Sequence, residues 1–197
     1  MAAPTKTTVT LLSQQSISNN GRVVGSIIDL SGVHIFGAAL FLARTNTTAH
    51  ASPWAQIVVE GCTSATDNSL FVPIATLLMP AGASIAQTAA NGAISAGATS
   101  FVVSSATNIA AGALLYVTDS TAANWEMVRV QSVSGTTINI DGAFIYSHAN
   151  ASLVSSQAER VVIPALDVTG ISRARVACLN QSGQTVHAWA SGITTVL

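Results

Sequence analysis

Chemistry in this chain would have to rest on few side chains. Its four histidines are His34, His50, His148 and His187. His34 and His187 fall in strand-like segments, His50 and His148 in turn-like ones. None has a Cys, Asp or second His beside it in sequence, whereas a metal centre needs several ligands converging on one point. The eight carboxylates are spread so that no two lie within four residues of each other. Distant carboxylates can still meet in a fold, as glycosidase pairs do. No G-x-S-x-G elbow, P-loop, G-x-G-x-x-G, H-E-x-x-H or C-x-x-C occurs. The reading is therefore of a chain that is not an enzyme, with no catalytic, cofactor-binding or metal-ligating residue.

Cys62 and Cys178 read as small core residues, since free cysteine is among the most buried residue types. The opening Met-Ala-Ala-Pro-Thr-Lys carries no signal-peptide pattern, so cytoplasmic synthesis and reduced thiols are expected. Trp54, Trp125 and Trp189 could in principle stack on sugars or bases. They are widely separated in sequence, and we take all three as candidate interface anchors, because aromatic rings contribute large contact area where proteins meet. Three sequon matches, at Asn46, Asn150 and Asn180, arise readily in a Ser/Thr-rich chain and carry no weight.

The charge pattern points the same way. Only 8% of the 197 residues are Asp, Glu, Lys or Arg, against roughly 25% in an ordinary soluble domain. No formal charge occurs between Asp67 and Asp119. Charged surface keeps a free protein apart from its neighbours, so a chain without it is expected to cover its surface with other subunits. The seven basic residues are scattered, only Arg173 and Arg175 lying close together, and the net charge is −1. Nucleic-acid binding needs a concentrated basic patch, so none is expected. The most apolar run, Ile35 to Ala43, is about half the ~20 residues of a membrane-spanning helix, and no membrane partner is expected.

The elements that must position these residues are strands. Short β-branched runs recur between Gly, Asn, Asp, Pro or Ser clusters, from Thr7–Leu12 through Arg22–Leu30, His34–Ala43, Gln56–Glu60 and Phe71–Leu77. They continue at Phe101–Val103, Leu114–Thr118, Glu126–Val133, Thr136–Ile140, Arg160–Ile163, Ser172–Leu179 and Thr185–Ala190. No segment keeps a helical apolar stripe over ten residues; the best helical candidate, Pro73–Met79, is short. Two hairpins stand out. One turns at Ser134-Gly135 between Val128/Val130 and Ile138/Ile140, where glycine supplies the positive φ of a tight turn. The other sets Ala174, Val176 and Cys178 on one side and Arg173, Arg175 and Leu179 on the other, then returns through Asn180–Gly183 to Val186, Ala188 and Ala190.

Residues Ser84–Gly97 are rich in Ala, Gly, Ser and Thr and read as a linker. Ser147–Ser156 is a second small-residue stretch. The expected architecture is all-β: a β-sandwich, jelly-roll or Ig-like, built from residues 1–83 and 155–197, with a small β-barrel module, 84–154, inserted. A tandem pair of domains cut near residue 85 is the rival arrangement.

Gly97-Ala-Thr-Ser-Phe-Val-Val, Ile109-Ala-Ala-Gly-Ala-Leu-Leu-Tyr-Val and Trp125-Glu-Met-Val-Arg-Val-Gln-Ser-Val-Ser-Gly-Thr-Thr-Ile-Asn-Ile together resemble a small β module of tailed-bacteriophage virion proteins. The flanks, Asp29-Leu-Ser-Gly and the Arg173-x-Arg-Val segment, are similar to sandwiches that decorate phage heads and tails. The resemblance implies a virion structural protein, made in the host cytoplasm. A capsid decoration (cement) protein is its first implication: a homotrimer on the outer lattice of the major capsid protein. A tail, baseplate or adaptor subunit is the alternative, and a carbohydrate-binding sandwich a remote third.

Overall fold

The computed structural model describes residues 5–44, 55–79, 86–156 and 158–196. Strands dominate them: β1 (Thr5–Ile17), β2 (Arg22–Val24), β3 (Ile28–Asp29), β4 (Ile35–Arg44), β5 (Ala55–Cys62), β6 (Val72–Met79), β7 (Gln87–Ala89) and β8 (Ser100–Val102). They continue with β9 (Leu114–Thr118), β10 (Glu126–Ser134), β11 (Thr137–Asp141), β12 (Leu153–Ser155), β13 (Ala158–Asp167), β14 (Arg173–Asn180) and β15 (Val186–Val196). The fold is all-β and sandwich-like. The helical candidate Pro73–Met79 is extended instead, as part of β6. Paired to β5 from Ala55↔Met79 to Gly61↔Val72, its backbone is satisfied by the neighbouring strand, and a helix would leave that edge of β5 bare.

The chain divides into two compact units, one of Met1–Leu42, Ser52–Ala81 and Arg160–Leu197, the other of Ala43–Ala51 and Gly82–Glu159. In the first unit a sheet ordered β1-β15-β4-β13 faces one ordered β2-β14-β5-β6, with β3 pairing β14 beside β2. Counting β2 and β3 as one interrupted strand, the unit's strands run 1-8-3-6 in one sheet and 2-7-4-5 in the other. That nesting is the double Greek key of a jelly roll, and not the ABED/CFG order of an immunoglobulin domain.

Strict alternation builds the core between these sheets. Phe36, Ala38, Leu40 and Leu42 of β4 and Val186, Ala188 and Ala190 of β15 meet Ile57 and Val59 of β5 and Ala174, Val176 and Cys178 of β14. Each fully buried Leu, Ile, Val or Phe contributes about 1.5–3 kcal/mol relative to exposure. Gly25, between β2 and β3, donates its N–H to the Val176 carbonyl at 2.8 Å. A Cβ there would lie 1.8 Å from the Leu11 carbonyl oxygen, so only glycine lets the interrupted strand pass so close to β1.

The expected hairpin between 173–179 and 185–190 does not form. β14 and β15 lie in opposite sheets. Alternation shows that each strand has one apolar face, and both faces point into the same core from opposite sides. The chain crosses between sheets through a turn built on buried Asn180, whose Nδ2 donates to the Ile17 and Gln184 carbonyls at 2.8 and 2.6 Å.

The second unit holds a sheet ordered β7-β12-β9-β10-β11-β8. Its two outer strands are bridged: Ala90 pairs with Val103, the Asn91 N–H donates to the Val102 carbonyl at 2.8 Å, and the Ser104 N–H to the Ala89 carbonyl at 2.9 Å. The sheet is thereby joined at its outer strands into a small barrel. Ile94, Phe101, Val103, Leu115, Val117, Val130, Ile138 and Val154 fill it. The hairpin of β10 and β11 turns at Gly135, with φ 62°, and Ser134 opposite Thr137. Residues 86–97 are not a linker, because β7 and the buried Ala90 and Ile94 belong to this barrel. Small side chains mislead there, since pairing uses the backbone.

Candidate assembly surface

The outer face of the four-stranded sheet is set by the same alternation that fills the core. Ile35, Gly37, Ala39 and Phe41 of β4 and His187, Trp189, Ser191 and Ile193 of β15 all point away from the buried cluster. Phe41 and Trp189 stack face to face, with ring centroids 4.8 Å apart and planes within 4°. Farther along, small side chains at Gly37, Ala39 and Ser191 floor a shallow trough of about 500 Å³, walled by Ile35, Ile193, Val162 and Pro164. Val162 is 60% and Ile193 47% exposed. Lys6, on β1 at the sheet edge, is the one formal charge among the trough residues. Burial pushes the His187 imidazole down to about 4, so this side of β15 is uncharged at neutral pH.

The five-stranded sheet is finished differently. Arg175 Nε contacts Glu60 Oε2 at 2.6 Å, and its guanidinium lies 4.0 Å from the Phe71 ring centre. Arg173 donates to the Ser64 and Asp67 carbonyls and to Asn68 Oδ1 at 2.7–2.9 Å, tying down the 63–71 connection. Arg173 and Arg175 are thus matched within their own unit, while Arg22 on β2 is exposed.

The barrel brings together three groups far apart in sequence. Glu126 Oε1 lies 2.9 Å from His148 Nε2, and Asp119 Oδ2 lies 3.4 Å from His148 Nδ1. The Glu126 carboxylate also accepts the N–H groups of Ile145 and Tyr146 at 3.0 and 3.1 Å. Asp119 accepts the Thr121 N–H at 2.7 Å, while its carbonyl accepts Trp125 Nε1–H at 3.0 Å. The His148 side chain has no exposed surface, and Phe144 packs on its ring at 5.5 Å. The cluster clamps the 144–148 segment, which Glu126 holds through two backbone N–H groups and the His148 ring. Among the described residues, no group of three His, Cys, Asp or Glu side chains is arranged to hold a metal ion.

Of the sequence-selected anchors, Trp189 lies on the apolar sheet face. Trp125 belongs to the barrel, set edge-on to Tyr116 with centroids 6.2 Å apart. Burial raises the Tyr116 hydroxyl far above its ordinary value. Trp54 lies outside the described residues. The sequence reasoning missed Phe41, which lies among apolar neighbours, and the clamp at Glu126. Cys62 and Cys178 are both buried and free.

No protein-family model matches the chain, and no curated protein does. Among solved structures, the chain is similar to the SPBc2 prophage-derived protein YomS, at 8% identity and a TM-score of 0.31 over 99% of this chain and 96% of that one. It is similar also to VP17, a capsid protein of bacteriophage P23-77, at 4% identity and a TM-score of 0.20 over 100% and 98%. A third, the Gp54 tailspike of Acinetobacter baumannii bacteriophage AP22, matches 36% of the chain at 24% identity and a TM-score of 0.31. The chain spans 15% of that tailspike's length.

Proposed function

We propose that this chain is a structural component of a tailed-phage particle, and within that class a decoration protein that binds the outside of the head lattice and stabilises it. One observation carries the reading. A jelly-roll sandwich carries an apolar trough on the outer face of one sheet, with Lys6 the one formal charge among the residues that line it, while Arg173 and Arg175 of the other sheet are matched internally. Such a face is suited to burial against protein, because exposed apolar patches of this kind mark interaction sites. The role is non-catalytic, the imidazole of the barrel's polar cluster having no exposed surface. The chain self-associates and contacts the major capsid protein, without nucleic acid or membrane.

Attachment through neutral surface has little salt dependence, whereas ion-pair docking is screened within about 10 Å at 0.1 M salt. Many copies on one lattice add their small contributions to shell stability. The test compares particles with and without the chain, at low salt and at 1 M salt, by thermal genome release and by copy number. Hundreds of copies and a raised, salt-independent release temperature are expected. Six to a few dozen copies, with heads equally stable in their absence, would move the chain to the tail.

A further inference from the structure

We infer that the outer face of the four-stranded sheet is covered by the same face of a second copy of this chain; the inference deepens the self-association in the reading above and rests on it, and leaves contact with the head lattice to other surfaces. Two observations select this occupant. Among the residues that line the trough Lys6 is the one formal charge, and it lies on the edge strand β1, where a paired interface keeps its polar rim. It also carries both halves of a fit. The Phe41–Trp189 stack stands at one end of the strands, and the Gly37, Ala39 and Ser191 floor lies farther along. A twofold axis through the face seats each aromatic pair over the partner's small residues, the self-complementarity an isologous contact requires. Sheets packed face to face in this way sit about 10 Å apart with side chains interdigitated.

The area agrees with a modest, reversible contact. Four strands spaced ~4.8 Å apart and about eight residues long at ~3.3 Å each present roughly 500 Å². Two such faces bury about 1,000 Å², the lower bound for a specific interface. Self-association is therefore concentration-dependent, and strengthened where many copies share one surface.

The experiment is sedimentation equilibrium of the full chain from about 1 to 500 µM, a range spanning weak specific interfaces. The wild type is expected to gain mass reversibly with concentration. Ile193→Asp, at a position 47% exposed, places a charge on each side of the pair and is expected to weaken association at least about 100-fold. Its thermal melting should stay unchanged. Leu78→Asp, on the edge strand β6 of the other sheet and 52% exposed, should associate like the wild type. A wild type monomeric throughout the range overturns the inference. So does an Ile193→Asp protein that still associates, or loss of association in Leu78→Asp alone. A monomeric chain that still raises the release temperature of particles discards this inference and leaves the decoration reading standing. A chain that self-associates through this face yet is absent from particles does the reverse.

Discussion

Replacing Glu126 by glutamine keeps the shape of the side chain and changes only its hydrogen-bonding pattern. In the native barrel three donors converge on its two oxygens: the N–H groups of Ile145 and Tyr146, at 3.0 and 3.1 Å, and His148 Nε2 at 2.9 Å. Glutamine offers one oxygen and one NH₂. If the oxygen takes the Oε1 place, the NH₂ faces the Ile145 N–H; in the flipped amide it faces both Tyr146 and His148. Either way a buried donor meets a donor, and the remaining bonds lose their charge assistance. A hydrogen bond to a charged group is worth about 1.5–3 kcal/mol net, so the loss should total about 3–4 kcal/mol. Ile145 is 71% exposed, so its side chain does not hold the segment down. Phe144 is buried in the barrel core, so opening residues 144–148 breaks that packing as well as these bonds, and the lost bonds lower the opening free energy directly. Amide hydrogen exchange at Ile145 and Tyr146 is the assay, and at ~1.4 kcal/mol per decade their protection should fall roughly 10²–10³-fold. Asp141→Asn, an exposed site on the same sheet, is the control and should leave both amides as they were. Protection within about threefold of wild type in Glu126→Gln would show that the carboxylate is not what fixes the segment.

Gly25→Ala should cost at least ~3 kcal/mol through overpacking, since its Cβ would lie 1.8 Å from the Leu11 carbonyl oxygen; a melting drop of about 6 °C or more is expected. Gly32→Ala, with φ +74° and open space around it, should cost only about 1–2 kcal/mol, and equal melting of the two variants would refute the clash. His187, pushed down to about 4 by burial, binds its proton in the unfolded chain near 6.5 but not in the folded one, so stability should rise with pH between about 4 and 6.5. Discounted for partial exposure, the change is about 1–2 kcal/mol, and His187→Gln should flatten it in denaturant titrations run at each pH. Cys62 lies opposite Arg173 and Cys178 opposite Ile57 in the β5–β14 register, roughly 16 Å apart along the strands and beyond disulfide reach. Reduction should leave the mass unchanged, and the Cys178 thiol, pushed up to about 12 by burial, should resist alkylation until the chain unfolds.

Strand existence was legible because a half-buried strand writes its own period. Ala174, Val176 and Cys178 are buried while Arg173, Arg175 and Leu179 remain partly exposed, as alternation requires. The sheet to which a strand belongs was not legible. Alternation tells that one face of β14 and one face of β15 is apolar; it cannot tell a hairpin in one sheet from two strands facing each other across a core. The choice of jelly roll over immunoglobulin order is lost for the same reason. The three-residue strands β7 and β12 escaped because pairing needs only backbone N–H and C=O groups, and Gln87–Ala89 and Leu153–Ser155 have little else to show. At the candidate surface, Trp189 drew attention by its size, whereas its partner Phe41 looked like one more residue of an apolar run. His148 and Glu126 stand 22 positions apart, and only the closing of the barrel brings them together.

The scarcity of charge takes on a more specific meaning once the charges that bond within the fold are placed. Asp29, Asp67, Asp119 and Asp167 each accept the N–H of a Ser or Thr two residues on, at 2.7–2.9 Å. Asp-x-Ser/Thr is a local turn in which the side chain does the work of a backbone acceptor. The exposed members pay no desolvation penalty of consequence, and hydrogen bonds from Ser31, Ser69 and Thr169 hold Asp29, Asp67 and Asp167 below the ordinary carboxylate range. Glu126 is consumed by the barrel clamp, Glu60 by Arg175, and Arg129 donates to the Gly112 carbonyl at 3.0 Å. Ionised groups are thus spent on turns, loops and one buried segment, where a neutral acceptor would bind about half as strongly. A free soluble protein ordinarily keeps many charges on open faces to hold its neighbours off. Here the trough beside Phe41 and Trp189 has one formal charge, Lys6, among the residues that line it, and the charges named above are occupied in their own turns, loops and ion pair.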